Sequence, residues 1–158
     1  MNAMKPEESM EIEVVNLREE YVSELARLDA ESFTDPWSER AYRELLTHSY
    51  SHYLVALMAE KPIGFAGMTV SFDEGDIDRV MVAPKLRRKG VADLLMEALF
   101  RLGDEIGVRE YTLEVRRSNI AAIALYRKHG FREEGIRPGF YSKPTEDALI
   151  MWKRKQEG

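Results

Sequence analysis

Val80-Met81-Val82-Ala83-Pro84-Lys85-Leu86-Arg87-Arg88-Lys89-Gly90-Val91-Ala92-Asp93 is the stretch on which the fold turns. Its first residues read as the end of a β-strand. Ala83-Pro84 stops that strand, because proline cannot donate to a sheet ladder. A basic loop follows, and then a long helix. Val91, Leu94, Leu95, Ala98, Leu99, Leu102 and Ile106 recur at i, i+3, i+4, i+7, i+8, i+11 and i+15, one continuous apolar stripe. Gly107 stands where a helix C-terminus favours a left-handed residue. The first turn of any helix has unsatisfied amides and the positive end of the macrodipole. Gly90 and Ala92 are small enough to let a ligand approach that backbone. Lys85, Arg87, Arg88 and Lys89 put four positive charges into five positions. Together these features suit a pyrophosphate. The pattern is not a nucleotide P-loop, since no Gly-Lys-Ser/Thr follows, and it is not the dinucleotide G-x-G-x-x-G. A solvated basic loop with an ordinary glycine turn fits the same residues. Asp93 is a normal first-turn helix stabiliser, but it competes with a bound anion. Phosphate binding therefore requires its side chain to turn away.

Outward from this junction the chain alternates strands and helices. Ile12 to Asn16 is a short strand, and Tyr21 to Ala30 is a helix with Leu25 and Leu28 at spacing three. Asp35-Pro36-Trp37-Ser38 breaks the chain, and Ser38 is a natural N-cap for a helix reaching about Thr47. Tyr53 to Ala59, Ile63 to Phe72 and Asp76 to Val82 read as strands joined at Lys61-Pro62 and Asp73-Glu74-Gly75. After the long helix come a strand from Tyr111 to Val115, a helix from Ile120 to His129 closed by Gly130, and a last strand from Ala148 to Trp152. Ile136 to Phe140 has no decisive pattern. Hairpins in the first half imply antiparallel pairing. Strand–helix–strand units in the second half imply a partly parallel sheet. The expected fold class is α/β: a mixed, mostly antiparallel sheet with a parallel central pair, flanked by helices.

A second constellation lies at Leu113-Glu114-Val115-Arg116-Arg117-Ser118-Asn119, where a strand runs into a helix that Ser118 or Asn119 would cap. Glu114 is a carboxylate between Leu113 and Val115. Apolar surroundings raise a carboxyl pKa and make a better base. Tyr126 follows on the helix, and its hydroxyl could protonate a leaving group. Ordinary readings also fit: Glu114 as a solvent-facing residue alternating with Thr112 and Arg116, and Tyr126 as a core aromatic three residues from Ile123.

Composition bounds the chemistry. The chain has 158 residues, 44% hydrophobic and 32% charged, with net charge −5. These values fit a globular domain and disfavour a disordered chain. Such a length buries roughly two-thirds of the unfolded surface without staples. There is no cysteine, which removes thiol nucleophiles, thiolate metal sites and redox motifs. His48, His52 and His129 are scattered, with neither ligand spacing nor a triad arrangement, so no metal is implied. The acidic balance argues against a nucleic-acid partner. No segment is long and apolar enough for a membrane helix. Residues 1–11 are polar and lack the apolar core of a secretory signal, which suggests a loose leader before one domain over 12–158, in a cytoplasmic protein.

Arg87-Arg88-Lys89-Gly90-Val91-Ala92 matches Arg/Gln-x-x-Gly-x-Gly/Ala, the signature of the GNAT family of acetyl-CoA-dependent N-acetyltransferases, which the chain resembles. Leu113-Glu114-Val115-Arg116, Ser118-Asn119, Ala121 to Tyr126 and Gly130-Phe131 are similar to its bacterial RimI group, the ribosomal-protein-alanine N-acetyltransferases. So are Pro36-Trp37-Ser38-Glu39, Tyr141 and Glu146 to Met151. The resemblance spans about Ile12 to Trp152. It implies direct acetyl transfer from acetyl-CoA to an amine, without a metal. It assigns Glu114 as general base and Tyr126 as general acid. Backbone groups of Val80, Met81 and Val82 would hold the pantetheine arm. Arg87, with Arg88, Lys89, Gly90, Val91, Ala92 and Asp93, would form the pyrophosphate cradle, and the Asn119 amide would contact the cofactor. Trp37, Phe140 and Tyr141 would border the acceptor groove. The implied acceptor is a protein N-terminus such as that of ribosomal protein S18. A lysine or small-amine acetyltransferase is the alternative, separated by whether the groove is aromatic or a closed acidic pocket. A non-catalytic acyl-CoA sensor would keep Arg88 to Ala92 and lose the acid–base pair. Gly139-Phe140-Tyr141 stands where relatives carry an Asn-Tyr-Tyr type of run, so one substrate-side hydroxyl is missing.

Overall fold

The computed structural model describes residues 11–49 and 51–155. The leader expected over residues 1–11 lies, except for Glu11, outside them. The elements are β1 (Ile12–Asn16), α1 (Val22–Ser32), α2 (Glu39–Leu45), β2 (Ser51–Met58), β3 (Lys61–Ser71), β4 (Glu74–Val82), α3 (Val91–Ile106), β5 (Glu110–Arg116), α4 (Ile120–Lys128), β6 (Arg132–Tyr141) and β7 (Glu146–Lys153). The strands form one sheet in the order β1-β2-β3-β4-β5-β7-β6. Only β4 and β5 run parallel. The mixed sheet expected from the sequence is therefore present, with the crossover helix α3 joining its parallel pair.

The central strands bury both faces, which is why they read as unbroken apolar runs. Along β2, Leu54 and Ala56 join the core under α3, while Tyr53, Val55 and Leu57 join a second core under α1 and α2. The α3 stripe supplies Val91, Leu95 and Leu99 to the first core. Leu25, Leu28 and Tyr42 fill the second against Phe65.

Two features of β4 shape the site. Gly67 pairs with Arg79 and Met68 with Ile77, so Asp78 is an extra residue, a β-bulge. The bulge changes which face later residues occupy. Ile77 faces the α3 core, yet Arg79, two positions on, reaches Asp29 of α1. Secondly, β4 pairs with β5 only at Glu74, Gly75 and Asp76, opposite Glu110, Tyr111 and Thr112. Beyond Asp76 the two strands part, and one edge of β4 is left without a strand partner.

The undecided run Ile136 to Phe140 belongs to β6, an edge strand that is exposed almost throughout. With no buried face there is no alternation to read. Its register with β7 is also broken between Arg137 and Tyr141.

Candidate functional site

A cavity of about 550 Å³ opens where β4 and β5 diverge. Val80, Glu114, Asn119, Tyr126, Trp37, Phe140 and Tyr141 all line it. These residues come from four stretches far apart in sequence, at 37, 80, 114–126 and 140–141, and the parting of the strands brings them together. A larger concavity of about 780 Å³ lies near Asp104 and Lys153, and none of the expected site residues lines it.

Glu114 projects from β5 on the face opposite Leu113 and Val115, which are buried in the α3 core. Its surroundings are thus polar rather than the apolar ones its sequence neighbours suggest. Arg137 of β6 places its Nε 2.7 Å from Glu114 Oε2. That contact is not aligned as a hydrogen bond, and Oε2 is buried without a hydrogen-bond partner. Tyr126 is 8% exposed and packs with Ile123 and Phe131 in the α3 core, so the core reading of this residue holds alongside its place on the cavity wall. Burial raises its pKa above the usual tyrosine value, and the nearby Tyr141 adds to the shift. The hydroxyl therefore keeps its proton across the physiological range. Asn119 caps α4, accepting from the Ala122 amide at 3.2 Å. Its side-chain NH₂ is not used by that cap.

The basic junction lies beside the cavity rather than on its wall. Met81 and Val82 are buried at the end of β4. Pro84–Leu86 forms a 3₁₀ turn, and the Ala83 amide donates to the Ile63 carbonyl at 2.8 Å. Gly90 is the N-cap of α3 at φ +83°, in the left-handed region, and no side chain caps the helix. A Cβ at Gly90 would meet nothing within 4 Å, so the space over the first turn is open. Asp93 does turn away from it. Its Oδ1 accepts from His129 Nε2 at 2.7 Å and from Lys128 Nζ at 3.0 Å. Burial raises the Asp93 pKa, but these bonds outweigh burial and hold it below the usual carboxylate value. The uncapped, open first turn fits an anionic group.

Several groups around the cavity went unnoticed in the sequence. Asp29 is fully buried and takes hydrogen bonds from Trp37 N (2.5 Å), Tyr42 Oη (2.8 Å), Arg79 Nε (3.1 Å) and Arg79 Nη2 (2.6 Å). Arg79 also stacks its guanidinium over Phe33 and Trp37, at 4.0 and 4.6 Å. This knot fixes Trp37 at the cavity mouth. On the opposite rim Arg116 donates to the Ser142 and Pro144 carbonyls and to Glu146, and lies 4.5 Å from the Tyr141 ring. Asp78 accepts from Thr69 Oγ1 at 2.8 Å. Partial desolvation in the groove, reinforced by Asp76, outweighs that bond and pushes its carboxyl up to about 6. Among the described residues, no group of His, Cys, Asp or Glu is arranged to hold a metal ion.

Residues 22–131 match the model of the acetyltransferase (GNAT) family. The chain belongs to the GNAT acetyltransferase family. A GNAT relative in Bacillus subtilis is 36% identical over 140 residues, spanning 88% of this chain and 93% of its own. The ribosomal protein bS18-alanine N-acetyltransferase of Escherichia coli strain K12 is 38% identical over 120 residues, 73% of this chain and 79% of its own. The crystal structure of the ribosomal-protein-S18-alanine N-acetyltransferase from Escherichia coli aligns with a TM-score of 0.84 at 29% identity, covering 93% of this chain and 96% of that one. This GNAT chain is an acetyl-CoA-dependent N-acetyltransferase. No helix among its described residues is long and apolar enough to cross a membrane.

Proposed function

We propose that this enzyme acetylates the N-terminal α-amine of a protein, with ribosomal protein bS18 as its acceptor, in the cytoplasm where that acceptor is made. The observation that carries this reading is the meeting of Glu114 and Tyr126 on one cavity whose mouth is bordered by Trp37, Phe140 and Tyr141. Aromatic residues at the mouth favour an extended chain end over the closed pocket of a small-amine enzyme, and Asp76, Asp78 and Glu114 on the same wall give it a cationic end to meet. The activity named for the Escherichia coli relative supports the same acceptor.

Acetyl-CoA supplies an activated acyl group at a thioester carbonyl. The unpartnered edge of β4 at Val80, Met81 and Val82 offers backbone groups to the pantetheine arm. The amides around Gly90, Val91, Ala92 and Asp93, with Arg87, Arg88 and Lys89, receive the pyrophosphate. The Asn119 amide contacts the cofactor. Glu114 removes the acceptor's proton. An α-amine has a pKa of roughly 8 against roughly 10.4 for lysine, so this task is modest for a carboxylate. An amide near Val82 polarises the carbonyl oxygen. Tyr126, held protonated by burial, delivers its proton to the departing sulfur.

Gly90→Trp tests the cradle. Space is open there, but φ +83° strains any side chain, and the indole would cover the open first turn of α3. Calorimetry should read a Kd for CoA raised at least about tenfold, equivalent to about 1.4 kcal/mol. An unchanged Kd removes the cradle.

The acceptor is tested by thiol release from acetyl-CoA against a panel: peptides beginning with Ala, the same peptides with a blocked N-terminus, free lysine and small amines. Release should require the free Ala terminus. Release on a small amine, with none on any peptide, would overturn the proposal.

A further inference from the structure

We infer that Arg137 is a positioning residue that holds the Glu114 carboxylate in the place the acceptor's amine must take, so that acceptor binding is an exchange of one cation for another. The inference rests on the reading of Glu114 as the base that faces the amine.

Three observations meet here. Arg137 Nε lies 2.7 Å from Glu114 Oε2, yet the pair lacks hydrogen-bond alignment, and that buried oxygen has no other partner. A buried acceptor without an aligned donor is under-satisfied, and a better-aimed N–H would improve it. Secondly, the Arg137 side chain is 59% exposed. Water can therefore take it back at little cost when it lets go. Thirdly, Arg137 sits at the last regular pair of β6 with β7, opposite Ala148, before the ladder breaks. Pro138 has no amide to donate, and Gly139 at φ +62° turns the chain and donates to Asp147 at 2.9 Å. Phe140 and Tyr141 then line the cavity. Arg137 thus reaches the base from an exposed edge strand, beside the Phe140 ring at 5.6 Å, and not from the core.

An α-ammonium brings a compact charge and rotatable donors to the same carboxylate. It displaces the guanidinium, which swings outward to solvent. An acceptor lacking a free cationic amine has nothing to exchange and leaves Arg137 in place. The arrangement therefore filters for a charged terminus before the proton is removed.

Arg137→Met keeps an unbranched stem and removes the competing guanidinium charge. Steady-state kinetics with an Ala-initiated peptide should show KM lowered about three- to fivefold, the scale of an exposed ion pair. Millimolar guanidinium should then inhibit this variant competitively against the peptide, and more strongly than it inhibits the wild type. An unchanged KM would make the pair inert, and a raised KM would make Arg137 a direct holder of the peptide. Either result overturns the inference, as does a failure of guanidinium to compete. The base reading fails separately, through wild-type kcat in Glu114→Gln. KM in Arg137→Met still reports on the exchange in that case.

Discussion

Glu114→Gln should lower kcat for an Ala-initiated peptide by about 10²-fold or more near neutral pH, the usual range for loss of a positioned base. The substitution keeps shape and volume and removes only the ability to take a proton. The fold should survive it, since Glu114 stands on the polar face of β5 and its partner Arg137 is largely solvated. Calorimetry should find CoA binding unaltered, because no residue of the Arg87 to Asp93 loop touches Glu114 in any bond or ion pair described. The pH profile adds a sharper readout. Above a pH of about 8 an α-amine is already deprotonated in solution, so the deficit of the variant should shrink as pH rises. With a lysine acceptor it should persist to about pH 10. Wild-type turnover at neutral pH would remove Glu114 from the chemistry.

The parts of the fold that were legible in the sequence are those whose burial is one-sided or continuous. The α3 stripe reports its environment directly from Val91 to Leu102, while its last member, Ile106, is exposed, and the runs of β2 and β3 do the same. The candidate site was legible in part, for two reasons. Glycine at 90 and the charges from Lys85 to Lys89 are local signals. Glu114, Asn119 and Tyr126 sit within thirteen residues of one another, on a strand and the helix it feeds.

What escaped depends on pairing across the chain. The bulge at Asp78 has no glycine or proline to mark it, and it alone turns Arg79 toward α1. The Arg137 contact depends on β6 folding back beside β7, and an exposed edge strand carries no alternation. For Glu114 the alternation with Thr112 and Arg116 is the reading that holds, and the apolar neighbours Leu113 and Val115 face the other side of the sheet. Asp29 did leave a trace. It follows Leu25 and Leu28 on the apolar face of α1, where a carboxylate is out of place unless it is paired.

Asp29→Ala should be the most destabilising single change near the site, costing about 3–5 kcal/mol in urea unfolding. The carboxylate is fully buried and satisfies three residues from separate segments: Trp37 in the loop before α2, Tyr42 in α2 and Arg79 in β4. Removing it leaves the Arg79 guanidinium, only 14% exposed, without its counter-charge, and leaves the Tyr42 hydroxyl and the Trp37 amide without their acceptor. Burial already raises the Tyr42 pKa, with Asp29 adding to the shift, so Tyr42 cannot compensate by ionising. Domains of this kind are stable by only about 5–15 kcal/mol, so the loss is a large part of the total. Peptide KM should rise with it, because Trp37 loses its anchor at the groove. Arg27→Ala is the contrast. Arg27 bonds both Glu24 and Glu31 on the same helix but is 59% exposed, and its loss should cost under about 1 kcal/mol. The double variant Asp29→Leu, Arg79→Met separates the two costs of the buried pair. With no charge left to strand, it should regain much of the stability, while the peptide KM stays high because neither Trp37 nor its stacking partner is held. Equal stability for Asp29→Ala and the wild type would mean that water reaches Arg79 and that the knot does not hold the rim.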